Sequence, residues 1–255
     1  MKFPGIHHNK GFSLIELLVS VSIITLMTSL VVPAFTSILK SNGTDSAVCD
    51  IKGAIEAACS YARANNTYTW VGFYEEDVTA AASIMSPPYT GRGRVLIAVV
   101  ASKDGTAVFG SNDPAALLPS DRISALGKII RLENVHLMDI GAPTGTNADP
   151  KTLEGRSGFP YDDNEPQNGG QSHYSRISSE SSDRTLFPFT AQGYTFYKTI
   201  RFNPRGEADI NGTFNLRSLI EIGLKPTSGT AVLNSPNVAA VQISGIAGNA
   251  TIYRR

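Results

Sequence analysis

Glu16 is the only charged side chain between Phe12 and Leu39, and it sits at the start of the apolar run in KGFSLIELLVSVSIITLMTSLVVPAF, Lys10 to Phe35. A carboxylate placed in hydrocarbon costs roughly 2.5–3.5 kcal/mol on insertion scales, and such residues normally have a partner and a function. With no Lys, Arg or His in its own segment, Glu16 must take its cation from elsewhere. The chemistry on offer is charge neutralisation, a carboxylate against an amine.

Ser13 and Glu16 fit the spacing of a capping box, in which two side chains satisfy backbone donors at a helix start. That pattern explains a helix start, but not why the start lies so deep in apolar sequence. A cut between Gly11 and Phe12 would create an α-amino group four residues from Glu16. That amine could pair with Glu16 of the same chain or of a neighbour.

Gly11, Phe12, Ser13, Leu14, Ile15 and Glu16 resemble the cleavage and methylation motif of type IV pilins and type II secretion pseudopilins. The resemblance implies a membrane peptidase that cuts after Gly11 and N-methylates Phe12. It also implies that Glu16, the fifth mature residue, registers each subunit against its neighbour's amino terminus. Pro33 falls where that family commonly has a helix-bending proline.

As a helix, Leu14 to Phe35 would span roughly 33 Å, about the thickness of a bilayer core. An ordinary secretory signal has a shorter apolar region followed by its cut site, whereas Gly11 precedes the apolar run, so the anchor is expected to survive processing. Lys2 and Lys10 before the span favour a cytoplasmic leader, which would also carry away His7 and His8. The expected location is the cytoplasmic (inner) membrane, crossed once, with the carboxyl-terminal domain periplasmic or extracellular.

Equal counts of 22 basic and 22 acidic residues give no net charge, which argues against a dedicated nucleic-acid surface. Gly91-Arg92-Gly93-Arg94 reads mainly as a turn entering a strand. Arg92, Arg94, Arg254 and Arg255 are the residues to test for DNA contact. Helical spacing continues past the anchor through Ala47, Val48, Ile51, Ala54, Ile55, Ala58, Cys59 and Ala62, one apolar face against which a sheet can pack. Gly43 and Gly53 weaken this helix by about 1 kcal/mol each relative to Ala, so a bend or fraying is expected around Ser41 to Thr44. Asn65 and Asn66 supply the stop. Cys49 and Cys59 on one helix would lie roughly 15 Å apart along its axis, beyond one disulfide, and are expected as free thiols.

Beyond Asn66 the pattern turns to strands over Tyr68 to Tyr74, Arg94 to Ala101, Thr106 to Phe109 and Ile129 to Leu137. Lys103-Asp104-Gly105 reads as a tight hairpin between Val99-Val100-Ala101 and Thr106-Ala107-Val108. A second hairpin is expected from Tyr194 to Phe202 through Asn203-Pro204-Arg205-Gly206 to Glu207 to Ile210. The last strands are Val238 to Ile243 and Ala250 to Tyr253. Ile200-Arg201-Phe202 leading to Gly206, and Val241 to Ser244 before Gly248 to Tyr253, resemble the H-type and FimT-like minor pseudopilins. The tail Thr251-Ile252-Tyr253-Arg254-Arg255 is similar to that of the prepilin-type Verru_Chthon cassette protein D family.

Gly141 to Thr185 is dense in Gly, Pro, Ser, Asn and Asp and offers no clear element. Asp162, Asp163 and Glu165 within it are candidate oxygen ligands for calcium, but EF-hand spacing is missing and no metal is expected. His136, in a strand, and His173, in the long loop, belong to no evident nucleophile and base arrangement, so no enzyme and no cofactor are expected. Trp70, with Tyr68 and Phe73, reads as sheet packing or a partner surface.

The resulting expectation is an α+β, pilin-like chain in which a long N-terminal helix, part transmembrane and part amphipathic, packs on an antiparallel β-sheet body. Residues 1–11 would be the leader, 12–39 the transmembrane and assembly helix, and 40–66 its amphipathic half. Residues 67–255 would be the exported body with the long loop 141–185. The expected role is a filament subunit, a minor pseudopilin, whose partners are prepilin peptidase, other pilin or pseudopilin subunits, inner-membrane assembly machinery and lipid. The alternatives are a membrane-anchored binding module and a DNA-binding minor pilin for uptake.

Overall fold

The computed structural model describes residues 13–79, 91–107, 116–141, 149–156, 176–179, 185–210 and 219–255, with side chains for all of these except 30–42. The chain divides into two units, Met1–Leu39 and Lys40–Arg255. The elements are α1 (Leu14–Ala64), β1 (Thr69–Asp77), β2 (Gly93–Ser102), β3 (Ile123–Ala125), β4 (Ile130–Leu137), β5 (Arg176–Ile177) and β6 (Phe189–Ala191). They continue with β7 (Tyr194–Phe196), β8 (Lys198–Phe202), β9 (Ala208–Asp209), β10 (Leu219–Ser228), β11 (Ala231–Val232), β12 (Ala239–Ser244) and β13 (Ala250–Arg254).

In the larger unit the sheet runs β13-β12-β10-β4-β2-β1-β8-β9, with β3, β5 and β11 attached beside the main path. Every pairing is antiparallel except β5 against β10. The eight residues of the apolar helical stripe, Ala47 through Ala62, are all buried. They share one core with Val71, Phe73, Val95, Ile97, Ile222 and Val241 of the sheet. The opposite face holds a second core, where Trp70, Leu96, Ala98 and Val100 meet Phe189, Tyr194 and Phe196 of the small β6–β7 hairpin. Alternate residues of β1 and β2 serve the two cores in turn, so both strands read as near-continuous apolar runs. Gly72 of β1 makes room for that hairpin: a Cβ there would lie 2.6 Å from Phe196 Cβ and 2.7 Å from Phe189 Cζ.

The helix ends where the asparagines stand, with Asn66 at a positive φ of 49°. Arg63, in the last turn, donates from Nε to Arg205 O at 3.1 Å and from Nη2 to Ala247 O. α1 is helical through Gly43, where bending or fraying is expected from the sequence.

The Asn203 to Gly206 hairpin is present, with Arg201 opposite Asp209 and Phe202 opposite Ala208, and so is the terminal β12–β13 pair. The Lys103 to Gly105 hairpin is not: Ala101 pairs with Ser124 of β3. Asp104 instead gathers donors from its surroundings, with Ser102 Oγ at 2.8 Å, Thr106 N at 3.0 Å, Thr106 Oγ1 at 2.7 Å and Arg122 Nη2 at 2.7 Å. Residues 108 and 109 lie outside the described residues. The run from Tyr194 to Phe202 is broken at Tyr197 into β7, which pairs with β6, and β8, which joins the main sheet. The long loop contains an element after all, β5, and β10 is a central strand with no counterpart among the strands expected from sequence.

Candidate functional site

α1 begins at Leu14, and its first turn closes on Ser13, whose carbonyl accepts from Glu16 N at 3.0 Å and Leu17 N at 3.1 Å. The Glu16 carboxylate reaches back the other way, Oε2 accepting from Ser13 N at 3.4 Å. This is the returning half of a capping box. It holds the acid beside the first helical residues and near the positive end of the helix dipole. Gly11 and Phe12 lie outside the described residues, and Pro33 lies in α1 among residues whose side chains are not described.

The hydroxyls in the apolar run are handled internally. Ser20, Ser22 and Thr28 donate to the carbonyls of Glu16, Leu18 and Ile24, four residues back, at 2.7–2.8 Å. Thr25 and Ser29 donate to Ser22 O and Leu26 O, three residues back, at 2.9 and 2.8 Å. A helix whose backbone and hydroxyls are satisfied within itself can enter an apolar environment without stranded donors. Glu16 thus differs from its polar neighbours in carrying a charge that this self-satisfaction does not cancel. The signal of these hydroxyls in sequence is the recurrence of Ser and Thr within an apolar helical run, each three or four residues after the carbonyl it bonds.

Leu14, Ile15, Leu17, Leu18, Val19, Val21, Ile23, Ile24, Leu26 and Met27 are all exposed, Leu14 most at 84%. They surround the helix rather than forming one stripe, the pattern of a helix buried in something other than its own chain. Among the described residues, no helix is long and apolar enough to cross a membrane, and within Leu14 to Phe35 side chains are described only as far as Ser29.

Residues 6–32 match the prokaryotic N-terminal methylation motif. That match supports a type IV pilin-like substrate of prepilin peptidase with an N-terminal membrane anchor, and implies assembly with other pilin subunits. No curated protein and no solved structure matches the chain.

Of the four arginines singled out for DNA, three lie beside carboxylates of the same chain. Arg94 is buried, its Nη1 2.9 Å from Glu76 Oε1 and its Nε 3.4 Å from Glu133 Oε1. Burial alone would lower its pKa, but the hydrogen bond and charge of Glu76, with help from Glu133, raise it instead. Arg254 pairs with Asp45 at 2.6 Å and Arg255 with Glu154 at 3.4 Å, while Arg92 is exposed.

His136 is buried, with Nδ1 2.9 Å from Glu75 Oε1 and 3.1 Å from Oε2. The same carboxylate accepts from Gly93 N and Leu137 N at 3.2 and 3.3 Å, so it ties β1 to β2 and β4. His173 and the calcium candidates Asp162, Asp163 and Glu165 lie outside the described residues, among which no group of three metal-ligating side chains occurs. Cys49 and Cys59 are free thiols. Burial pushes the Cys59 thiol pKa up, which keeps it protonated and suits it to packing. Trp70 and Phe73 are fully buried in sheet packing, on opposite faces.

A pair that sequence gave no hint of lies in the body: Arg156 Nε donates to Glu221 Oε2 at 2.8 Å, with both side chains buried. Gln242 Nε2 donates to the same oxygen at 2.9 Å, and Arg156 also reaches the carbonyls of Leu153 and Gly141. This network docks one described segment of the long loop, Asp149 to Arg156, onto β10 and β12.

Proposed function

We propose that this protein is a structural, non-enzymatic subunit, a minor pseudopilin, of a type IV pilus-like or type II secretion-like filament. The reading holds that prepilin peptidase cuts after Gly11 and methylates Phe12, and that the apolar first part of α1 anchors the chain in the inner membrane and then packs against other subunits. Glu16 neutralises the Phe12 amine of an adjoining subunit, so registered entry costs less than leaving either charge alone in lipid. The β-rich body faces the periplasm or the exterior.

The observation that carries this reading is Glu16 itself, a carboxylate whose one partner among the described residues is the Ser13 amide, at the head of a helix whose apolar side chains from Leu14 to Met27 are exposed. A neighbour's ammonium offers the full counter-charge that an amide N–H does not. A role as substrate of a peptidase, rather than as a catalyst, also agrees with the methylation motif at residues 6–32. Glu16→Ala tests the proposal: membrane insertion is retained while incorporation into the filament is lost. Normal incorporation of that variant would refute the pairing.

A further inference from the structure

We propose that Arg254 is a joint that couples the long loop to α1: its backbone holds the loop segment 149–156, its side chain holds the helix, and loosening one loosens the other. The segment is built to move as one piece. The Asp149 carbonyl accepts from Thr152 N at 2.9 Å and from Thr152 Oγ1 at 2.8 Å, while Asp149 Oδ1 accepts from Lys151 N at 2.9 Å. Gly155 lets this turn close, since a Cβ there would lie 1.9 Å from Asp149 O.

Two unequal fastenings hold the segment. The first is the Arg156–Glu221 pair, whose side chains are only 3% and 2% exposed and which shares its carboxylate oxygen with Gln242. The second is Arg254 of β13. Leu153 N donates to Arg254 O at 3.1 Å, and Thr152 bridges to the same residue in parallel. Glu154 adds an exposed ion pair with Arg255 at 3.4 Å.

The side chain of Arg254 is engaged elsewhere. Its Nη1 lies 2.6 Å from Asp45 Oδ1 of α1, and these two side chains are 41% and 46% exposed. One residue therefore holds the loop by its carbonyl and the helix by its guanidinium. Arg254 and Arg255, which sequence offered as DNA contacts, take this role instead.

Burial decides which fastening yields. Parting Arg156 from Glu221 would leave an uncompensated buried charge, whereas an exposed ion pair contributes little and is screened by salt. The segment is accordingly hinged at Arg156 and released at Arg254. An event on the loop that draws residues 149–153 away frees the Arg254 carbonyl and is felt at Asp45. Linkage makes the converse hold to the same degree, so that parting Asp45 from Arg254 loosens the loop.

Hydrogen exchange of the full chain in detergent tests the joint. Asp45→Asn removes the charge that meets Arg254 without altering any residue of the loop. Exchange of the Leu153 amide is expected to quicken about two- to five-fold, the range that an exposed ion pair allows. The amides of Glu221 and Gln242, in the strands that carry the hinge, are expected to keep their rates. Salt offers a second measurement that needs no variant. At about 1 M, where the screening length falls to roughly 3 Å, the parent is expected to show the same quickening, and Asp45→Asn combined with Glu154→Gln no further one. A Leu153 amide indifferent to Asp45→Asn would overturn the proposal. So would quickening shared equally by Glu221 and Gln242, which marks a general loosening of the body, or a salt response undiminished in the double variant.

Discussion

Between Leu14 and Met27 every large apolar side chain of α1 is 48–84% exposed, whereas the apolar stripe from Ala47 to Ala62 is 0–6% exposed. Both stretches are apolar and helical, yet they dispose of their side chains in opposite ways. The second alternates its apolar stripe with exposed Cys49, Asp50, Glu56 and Ser60, so a single sheet can cover it. The first is exposed on all its large apolar side chains, a surface that no single sheet could cover and that the proposed function gives to lipid and other subunits. Charge follows the same division. Glu221 in the body has Arg156 at 2.8 Å, while among the described residues the Glu16 carboxylate meets an amide of its own chain and no cation.

Removing one carboxylate from each region is the strongest way to break this comparison. Glu221→Ala leaves Arg156 buried without its counter-charge and is expected to lower the stability of the body by about 3–5 kcal/mol, measured by denaturant unfolding. Glu16→Ala is expected to leave that unfolding curve unchanged and to act on assembly alone. Equal losses from the two would erase the distinction. Next in size is a matched pair of isoleucines: Ile55→Ala is expected to cost about 2–5 kcal/mol, because it opens a cavity in a fully buried site. Ile24→Ala, at a position 62% exposed, is expected to leave the melting of the body where it was.

Gly72→Ala sharpens the account of the sheet's second face. Its new methyl would press on Phe196 and Phe189, at an expected cost of about 1–3 kcal/mol with loss of near-ultraviolet aromatic signal. The smallest effect concerns pH. The Arg122 hydrogen bond, then those from Thr106 and Ser102, hold the Asp104 carboxyl well below the usual carboxylate range. A depressed folded pKa means that the stabilisation is present above the unfolded value and is lost as pH falls through the folded one. Acid titration of stability should therefore show a slightly steeper loss in the parent than in Arg122→Ala, at the acid end of the range and not near neutrality.

The parts of this fold that were legible in sequence are those whose pattern is set locally. The helical stripe from Ala47 to Ala62, the Asn65-Asn66 stop and the terminal strand pair each depend on neighbours in the chain. β10 was not legible because Leu219–Ser228 contains Gly223 and Pro226, both of which read as strand breakers. The fold uses the glycine for close approach, since a Cβ at Gly223 would lie 2.1 Å from Met138 O. Asp104-Gly105 carried a hairpin signal, but Arg122, distant in sequence, competes for the carboxylate and Ala101 pairs with Ser124. The Arg156–Glu221 pair joins residues 65 apart, and no spacing rule reaches that far. At the helix start, Ser13 and Glu16 are legible because helix capping acts over a few consecutive residues.

The most direct test is the intact mass of the protein extracted from its native membrane. A chain that begins at Phe12 and carries one added methyl group on its amino nitrogen is expected, recovered together with other filament subunits. A functional, assembled protein that still carries residues 1–11 would contradict it, because Glu16 would then have no new chain terminus to meet.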